Sequence, residues 1–269
     1  MAENSASAYP EGVPCWVDAQ LPDVAAGKRF YGGLFGWTFD APGGDRPPDA
    51  EPPDPGPRDP GPRDPGPRDS GPRNSRALAR LGGDPVAALA PKRDGRMPTV
   101  WTVYFATSDA VALAGRIRAG GGQLVTAPHP ADGGTAALAA DPQGAVFGLW
   151  QPAGHAGFAR RHEPSTFTWA ELYTRDTEAA DAFYGHLFHD ALFGPGAEPD
   201  FGRAPVSAVF PAEMPPHFLV HFLVADVEAA LGTVARLGGR VQVPPFETSY
   251  GGVAVAGDDQ GASFALLQR

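Results

Sequence analysis

The sequence predicts an α+β protein assembled from four β-α-β-β-β units, and three observations carry that prediction. First, Trp16-Val17-Asp18, Asp23 and the run Phe30-Tyr31-Gly32-Gly33-Leu34-Phe35 return as Trp169-Ala170-Glu171, Asp176 and Phe183-Tyr184-Gly185-His186-Leu187-Phe188, every position displaced by 153. Second, Gly120-Gly121 leads to Asp141-Pro142-Gln143-Gly144-Ala145-Val146-Phe147, and Gly238-Gly239 leads to Asp258-Asp259-Gln260-Gly261-Ala262-Ser263-Phe264. Third, four aspartates precede helical patterns: Asp23, Asp109, Asp176 and Asp226. Asp176 and Asp226 are 50 apart, and Asp23 and Asp109 are 86 apart. Removing the 36 residues of an insert at 40–75 leaves 86 − 36 = 50, so both halves share one internal spacing. Self-similarity of this kind marks a repeated supersecondary unit.

Each unit opens with a short apolar strand: Cys15–Gln20, Thr99–Phe105, Thr168–Tyr173 and Phe218–Val224. The aspartate that follows can accept hydrogen bonds from the free N–H groups of a helix start. About a dozen helical residues come next. In the last unit Val227, Ala230, Leu231, Val234 and Leu237 recur at helical spacing, and Gly238 suits the stop. Short strands then complete each unit, for example Gly122–Ala127, Thr135–Ala140 and Ala145–Gln151. Pro85–Leu89 and Pro205–Phe210 read as strands of the first and third units.

The insert is of another kind. Residues 40–75 carry no side chain more apolar than Ala, Pro or Gly, and Asp54-Pro55-Gly56-Pro57-Arg58 recurs at 59–63, 64–68 and, with Ser70, at 69–73. Nothing there can be buried to offset the entropy of ordering, which predicts a disordered or polyproline-like surface loop.

Bulk composition bounds the function. The chain has 269 residues, enough for two ordinary domains, and a net charge of −10, which repels nucleic acid. Residues 1–13 lack the apolar stretch of a signal peptide, and no apolar run approaches the ~18 residues of a membrane span, so a cytoplasmic setting is expected. A lone cysteine, Cys15, permits neither an intrachain disulfide nor a thiolate cluster. There is no nucleophile elbow, phosphate loop or dinucleotide fingerprint.

The motif Asp-x6-Phe-Tyr-x2-Leu-Phe after a first strand, together with Asp-Pro-x-Gly-Ala-x-Phe in the last, resembles the vicinal oxygen chelate superfamily of glyoxalases, bleomycin-resistance proteins and extradiol dioxygenases. The resemblance is nearest to its tandem-domain, glyoxalase-like branch. It covers residues 12–152 and 165–268, leaving 153–164 as a linker. It implies that two units pair into each domain, their strands curving into a half-open mixed-sheet barrel around one cavity.

Metal-dependent members of that superfamily place a His on the first strand, seven residues before the capping Asp, and a Glu on the last strand. In this sequence those counts fall on Trp16, Thr102, Trp169 and Leu219, and on Gly148 and Ala265. None is a usual ligand for a divalent ion. The expectation is therefore a barrel without the family's metal, and no cofactor.

Strand residues two apart share a face. The cavity of the first domain is then lined by Trp16, Asp18, Thr102 and Tyr104, and that of the second by Trp169, Glu171, Leu219 and His221. Aromatic walls with a few polar groups suit a small organic molecule, aromatic or cationic; they also suit a plug of the vacant metal space. Glu171 with His221 is the catalytic candidate, a carboxylate able to orient an imidazole for proton abstraction. Three readings stay open: a small-molecule binding protein, a metal-independent isomerase or lyase using Glu171 and His221, and a metal-dependent glyoxalase or dioxygenase. The fused halves are expected to act as a monomer of two pseudo-equivalent domains or as a homodimer.

Overall fold

A computed structural model describes residues 9–40, 76–92, 94–95, 98–198, 200–211 and 213–269. The proline-rich insert expected at 40–75 lies outside the described residues, apart from Asp40 at its edge. The first unit comprises β1 (Pro14–Leu21), α1 (Val24–Phe35), β2 (Thr38–Phe39), β3 (Ala77–Leu81) and β4 (Asp84–Pro91). The second comprises β5 (Val100–Ala106), α2 (Ala110–Ala119), β6 (Gln123–Ala131), β7 (Gly134–Ala140) and β8 (Val146–Pro152). The third has β9 (Phe167–Thr174), α3 (Thr177–Leu192) and β10 (Phe201–Pro205). The fourth has β11 (His217–Leu223), α4 (Val227–Arg236), β12 (Arg240–Thr248), β13 (Gly251–Gly257) and β14 (Ser263–Gln268).

All four aspartates singled out by spacing cap their helices. Asp23 accepts from the N–H groups of Ala25 and Ala26, Asp109 from Val111 and Ala112, Asp176 from Glu178 and Ala179, and Asp226 from Ala229. The strands form two mixed sheets. One runs β2-β3-β4-β1-β5-β8-β7-β6 and joins the first two units; the other runs β10-β9-β11-β14-β13-β12 and joins the last two. In each, the opening strands of the paired units lie antiparallel, β1 on β5 at the centre of the first sheet and β9 on β11 one strand in from the edge of the second.

The third unit departs from the pattern. The strand expected over Pro205–Phe210 ends at Pro205, and a 3-10 turn takes over at Val206–Ala208. Pro205 supplies no N–H to a ladder, and Pro211, Pro215 and Pro216 follow it closely. Phe210 turns inward instead and packs edge-on to Tyr173 at 4.9 Å. Among the described residues this unit is β-α-β, and the second sheet has six strands where the first has eight.

The repeated Asp-x-Gln-Gly-Ala motif is what joins the domains. In the second sheet's copy, the Asp258 Oδ1 atom accepts from the N–H groups of Gln260 and Ala262, tying its own turn. Its Oδ2 accepts from the Tyr31 hydroxyl of α1 at 2.8 Å, and that hydroxyl oxygen accepts from Trp101 Nε1 at 2.9 Å. Gln260 reaches across as well, accepting from the Asp23 N–H at 2.7 Å and donating to the Asp23 carbonyl at 2.9 Å. The first sheet's copy mirrors this on α3. Asp141 accepts from the Tyr184 hydroxyl at 3.2 Å, while Gln143 accepts from the Asp176 N–H at 3.0 Å and donates to its carbonyl at 2.8 Å. Each motif thus clips the start of a helix belonging to the other domain.

These latches are unequal. Tyr31→Phe strands the buried Trp101 N–H and takes a donor from Asp258, whereas Tyr184→Phe removes one longer bond. We expect losses of about 2 and about 1 kcal/mol respectively in urea unfolding. Equal losses would contradict the asymmetry. Among the described residues, no helix is long and apolar enough to cross a membrane.

Candidate functional site

Register places the predicted residues in two equivalent rows. In the first domain Trp16 pairs with Tyr104, which pairs with Gly148, while Asp18 pairs with Thr102. In the second, Trp169 pairs with His221, which pairs with Ala265, while Glu171 pairs with Leu219 and, on its other side, with Gly202. The positions counted for the superfamily's metal are Trp16, Thr102 and Gly148 in the first domain and Trp169, Leu219 and Ala265 in the second, and the cross-strand rows that run through Trp16 and Trp169 read Trp16-Tyr104-Gly148 and Trp169-His221-Ala265. The first holds no imidazole or carboxylate and the second a single imidazole. This donor set does not fit an ion that needs several oxygen or nitrogen ligands.

The first barrel is filled by its own side chains. Tyr104 lies over Gly148 so closely that a Cβ at 148 would fall 2.1 Å from its ring. Its hydroxyl donates to Asp18 Oδ2 at 2.9 Å, and the other Asp18 oxygen accepts from Gln20 Nε2 at 3.1 Å. Burial raises the Asp18 carboxyl above its ordinary range, and these hydrogen bonds moderate the rise. Thr102 is buried beside it.

The linker closes the lid on this barrel. Phe158 N–H donates to the Cys15 carbonyl and Ala159 N–H to Pro85, while the N–H groups of Ala153, Gly154 and His155 all converge on the Gly133 carbonyl. His155 meets Trp16 edge-on at 4.4 Å and Phe158 lies 5.5 Å from it, leaving Trp16 2% exposed. Among the described residues neither Trp16 Nε1 nor His155 Nε2 has a hydrogen-bond partner. Burial and nearby Arg76 and Arg80 hold His155 down to about 4, so it stays neutral there.

The second barrel is arranged differently. Trp169 is half-buried, its ring stacks on Tyr250 at 5.5 Å and 21°, and its indole N–H donates to Glu171 Oε2 at 2.5 Å. Both side chains rest on bare backbone at Gly202, where a Cβ would fall 2.3 Å from the indole and 2.7 Å from Glu171 Oε2. Burial raises Glu171 above the usual carboxylate range, against the pull of the Trp169 hydrogen bond and of Arg203. Deeper in, Tyr173, Phe210, Leu219, Val253, Val255 and Ala265 form an apolar cluster separate from the main core.

His221 is fully buried, and the structure does not join it to Glu171 by a hydrogen bond. Its Nδ1 faces the Leu219 carbonyl at 3.2 Å instead. A carbonyl only accepts, so Nδ1 carries the proton and Nε2 presents a lone pair, which has no hydrogen-bond partner among the described residues. Burial holds His221 down to about 4. Glu171 and His221 thus share one barrel wall without forming the oriented dyad that the sequence suggested. His217, four residues before His221, stacks on Tyr173 at 5.6 Å.

Three parts of this site escaped the sequence reading. Tyr250 sits in the β12–β13 turn, where no periodicity applies. Gly202 acts through the side chain it lacks. His155 lies in a stretch that looked like a plain linker. A surface depression of about 410 Å³ lies outside both barrels, lined by Gly238, Arg240, Asp258, Asp259, Gln260 and Gly261, at the Gln260 clip.

Comparison with known proteins agrees with this architecture. No family profile matches the chain. CFP32 of Mycobacterium tuberculosis, named as a glyoxylase, is 33% identical over 277 residues, covering 97% of each chain. The anthracycline biosynthesis protein DnrV of Streptomyces peucetius is 32% identical over 274 residues, covering 97% of this chain and 94% of its own. Among solved structures, the Mn(II)-bound glyoxalase of Novosphingobium aromaticivorans superposes with a TM-score of 0.58 at 14% identity, over 96% of this chain and 82% of that one. The 2,3-dioxygenase LapB of Pseudomonas sp. KL28 gives 0.57 at 14% identity, over 96% and 93%. These structures share the fold, and the two sequence relatives span nearly the whole chain at about a third identity. The chain belongs to the vicinal oxygen chelate superfamily, in its two-domain, glyoxalase-like branch.

Proposed function

We propose that this protein binds a small, flat aromatic molecule at the mouth of its second barrel, without the family's metal. The observation that carries this is the contrast between two equivalent tryptophans. Trp16 is sealed by the linker, whereas Trp169 is half-buried beside Tyr250, with Glu171 fixed at its edge. An aromatic surface with one oriented carboxylate favours a planar ligand, and a cationic group on it would gain from Glu171. Two relatives named as anthracycline biosynthesis proteins support a fused-ring ligand class. Trp16, Asp18, Thr102 and Tyr104, by contrast, hold the first domain together.

Thermal unfolding and calorimetry with hydroxyanthraquinones and single-ring phenols as probes test this. A fused-ring probe should stabilise the wild type and be recovered unchanged. Trp169→Ala and Tyr250→Ala should each weaken binding at least about tenfold, the loss of one central aromatic anchor. Trp16→Ala, judged on folded protein, should leave affinity unchanged. An equal loss in Trp16→Ala, or no binding by any probe, overturns the reading.

One observation favours a second reading, a metal-independent isomerase or lyase. The bare Nε2 of His221 is a neutral base inside the barrel, oriented by the Leu219 carbonyl. Recovery of an altered probe, with turnover lost in His221→Gln, would move the protein to that class. A metal-dependent glyoxalase or dioxygenase, the third reading, finds no matching donor set in either barrel among the described residues.

A further inference from the structure

Outside both barrels, His162, Glu198 and Asp200 each offer a ligand atom, all within 4.8 Å of one another. His162 comes from the linker, and Asp200 stands immediately before β10. Asp200 is 1% exposed. Its Oδ1 and His162 Nε2 face each other at 2.9 Å as an ion-pair contact, and among the described residues neither atom makes a hydrogen bond. Two buried polar atoms without partners are costly. Two donors bound to one tetrahedral zinc-type ion, each at about 2.0–2.1 Å, stand roughly 3.3 Å apart, so a separation a few tenths of an ångström wider would admit the ion.

The surroundings support an ion rather than a plain ion pair. His162 Nδ1 lies 3.3 Å from Thr168 Oγ1, the kind of outer contact that fixes a ligating imidazole with its other nitrogen bare. Arg161 donates to Asp200 Oδ2 and, at 3.3 Å, to Glu198 Oε2. It leaves Asp200 Oδ1 to face His162 while holding both carboxylates on one side. Glu198 is exposed and can swing to complete the set.

We propose that His162, Asp200 and Glu198 bind one divalent transition-metal ion of the zinc type, which fastens the linker to the strand carrying Gly202. This site is independent of aromatic binding in the barrel. Titrating Zn2+ into the chelator-treated full chain should give one ion per chain by calorimetry, with a higher melting temperature. Co2+ should give a visible absorption band at the same stoichiometry. His162→Gln and Glu198→Gln should each weaken Zn2+ binding by about tenfold or more, and His221→Gln should leave it unchanged. Asp200→Asn also disturbs Arg161, so the other two variants carry the test. No Zn2+ uptake by the wild type, or unaltered uptake by His162→Gln, overturns the proposal.

Discussion

Gly148→Ala is expected to destabilise the protein by about 3 kcal/mol, the upper range for forcing an atom into a packed core. The new Cβ would fall 2.1 Å from the Tyr104 ring, and the ring cannot swing aside easily because its hydroxyl is held by Asp18 at 2.9 Å. Tyr104→Ala alone should also cost several kcal/mol, through the cavity and the lost donor to Asp18. The informative quantity is the double variant. Once the ring is gone, Gly148→Ala should be nearly free, giving a coupling of about 2–3 kcal/mol in a urea-unfolding cycle. Additive losses would mean that Tyr104 does not occupy the space above residue 148. That space is where the superfamily's metal-dependent members place a carboxylate, so the cycle measures how the first barrel is filled in its place.

The repeat spacing made the architecture legible. Four capping aspartates and two copies of the Asp-x-Gln-Gly-Ala turn marked where helices begin and how the unit repeats, since both are local chemistry repeated in register; that two units pair into each domain was implied by the family resemblance. The face shared by Trp16 and Asp18, and by Trp169 and Glu171, followed from strand alternation. The inter-domain role of Gln143 and Gln260 did not, because their partners lie 33 and 237 residues away. The truncated third unit hid behind apolar residues at Val206, Val209 and Phe210, which suit a strand but here fill a corner after Pro205. Glu171 and His221 illustrate a further limit. Alternation puts both on one wall, but which acceptor each side chain takes depends on Trp169 and on the Leu219 carbonyl, and no pattern encodes that choice.

The two halves have diverged around that wall. Tyr104 and His221 occupy equivalent places, as do Asp18 and Glu171. In the first domain the tyrosine hydroxyl and the aspartate satisfy each other. In the second, Glu171 is taken by the indole and the imidazole is left with a bare nitrogen. The linker that seals the first barrel has no counterpart over the second among the described residues. Among the described residues the first half thus keeps Trp16 Nε1 and His155 Nε2 bare beneath the linker, whereas the second keeps His221 Nε2 bare in a barrel whose Trp169 is only half-buried.

That retained imidazole should dominate the protein's response to mild acid. His221 is lowered from 6.5 to about 4, by burial first, against a small opposing effect of the Leu219 carbonyl. Between those two pH values the unfolded chain binds a proton that the folded chain refuses, so stability rises with pH across the window and falls on acidification. The His221 contribution to that fall is roughly 3 kcal/mol from about pH 6.5 to 4. His155 acts in the same sense but more weakly, being partly exposed. The facing Glu171, and Asp18, Asp141 and Asp258, act oppositely. Their carboxyls are raised, chiefly by burial, so protonation favours the folded state as pH drops through their folded values. Because these groups are common to both proteins, comparing wild type with His221→Gln isolates the imidazole. The variant's unfolding free energy should gain on the wild type's by about 3 kcal/mol between pH 7.5 and pH 4. Parallel profiles would show that His221 is solvated or charged in the folded state. It could then serve neither as the neutral base of a metal-independent reaction nor as a buried acceptor for a ligand in the second barrel.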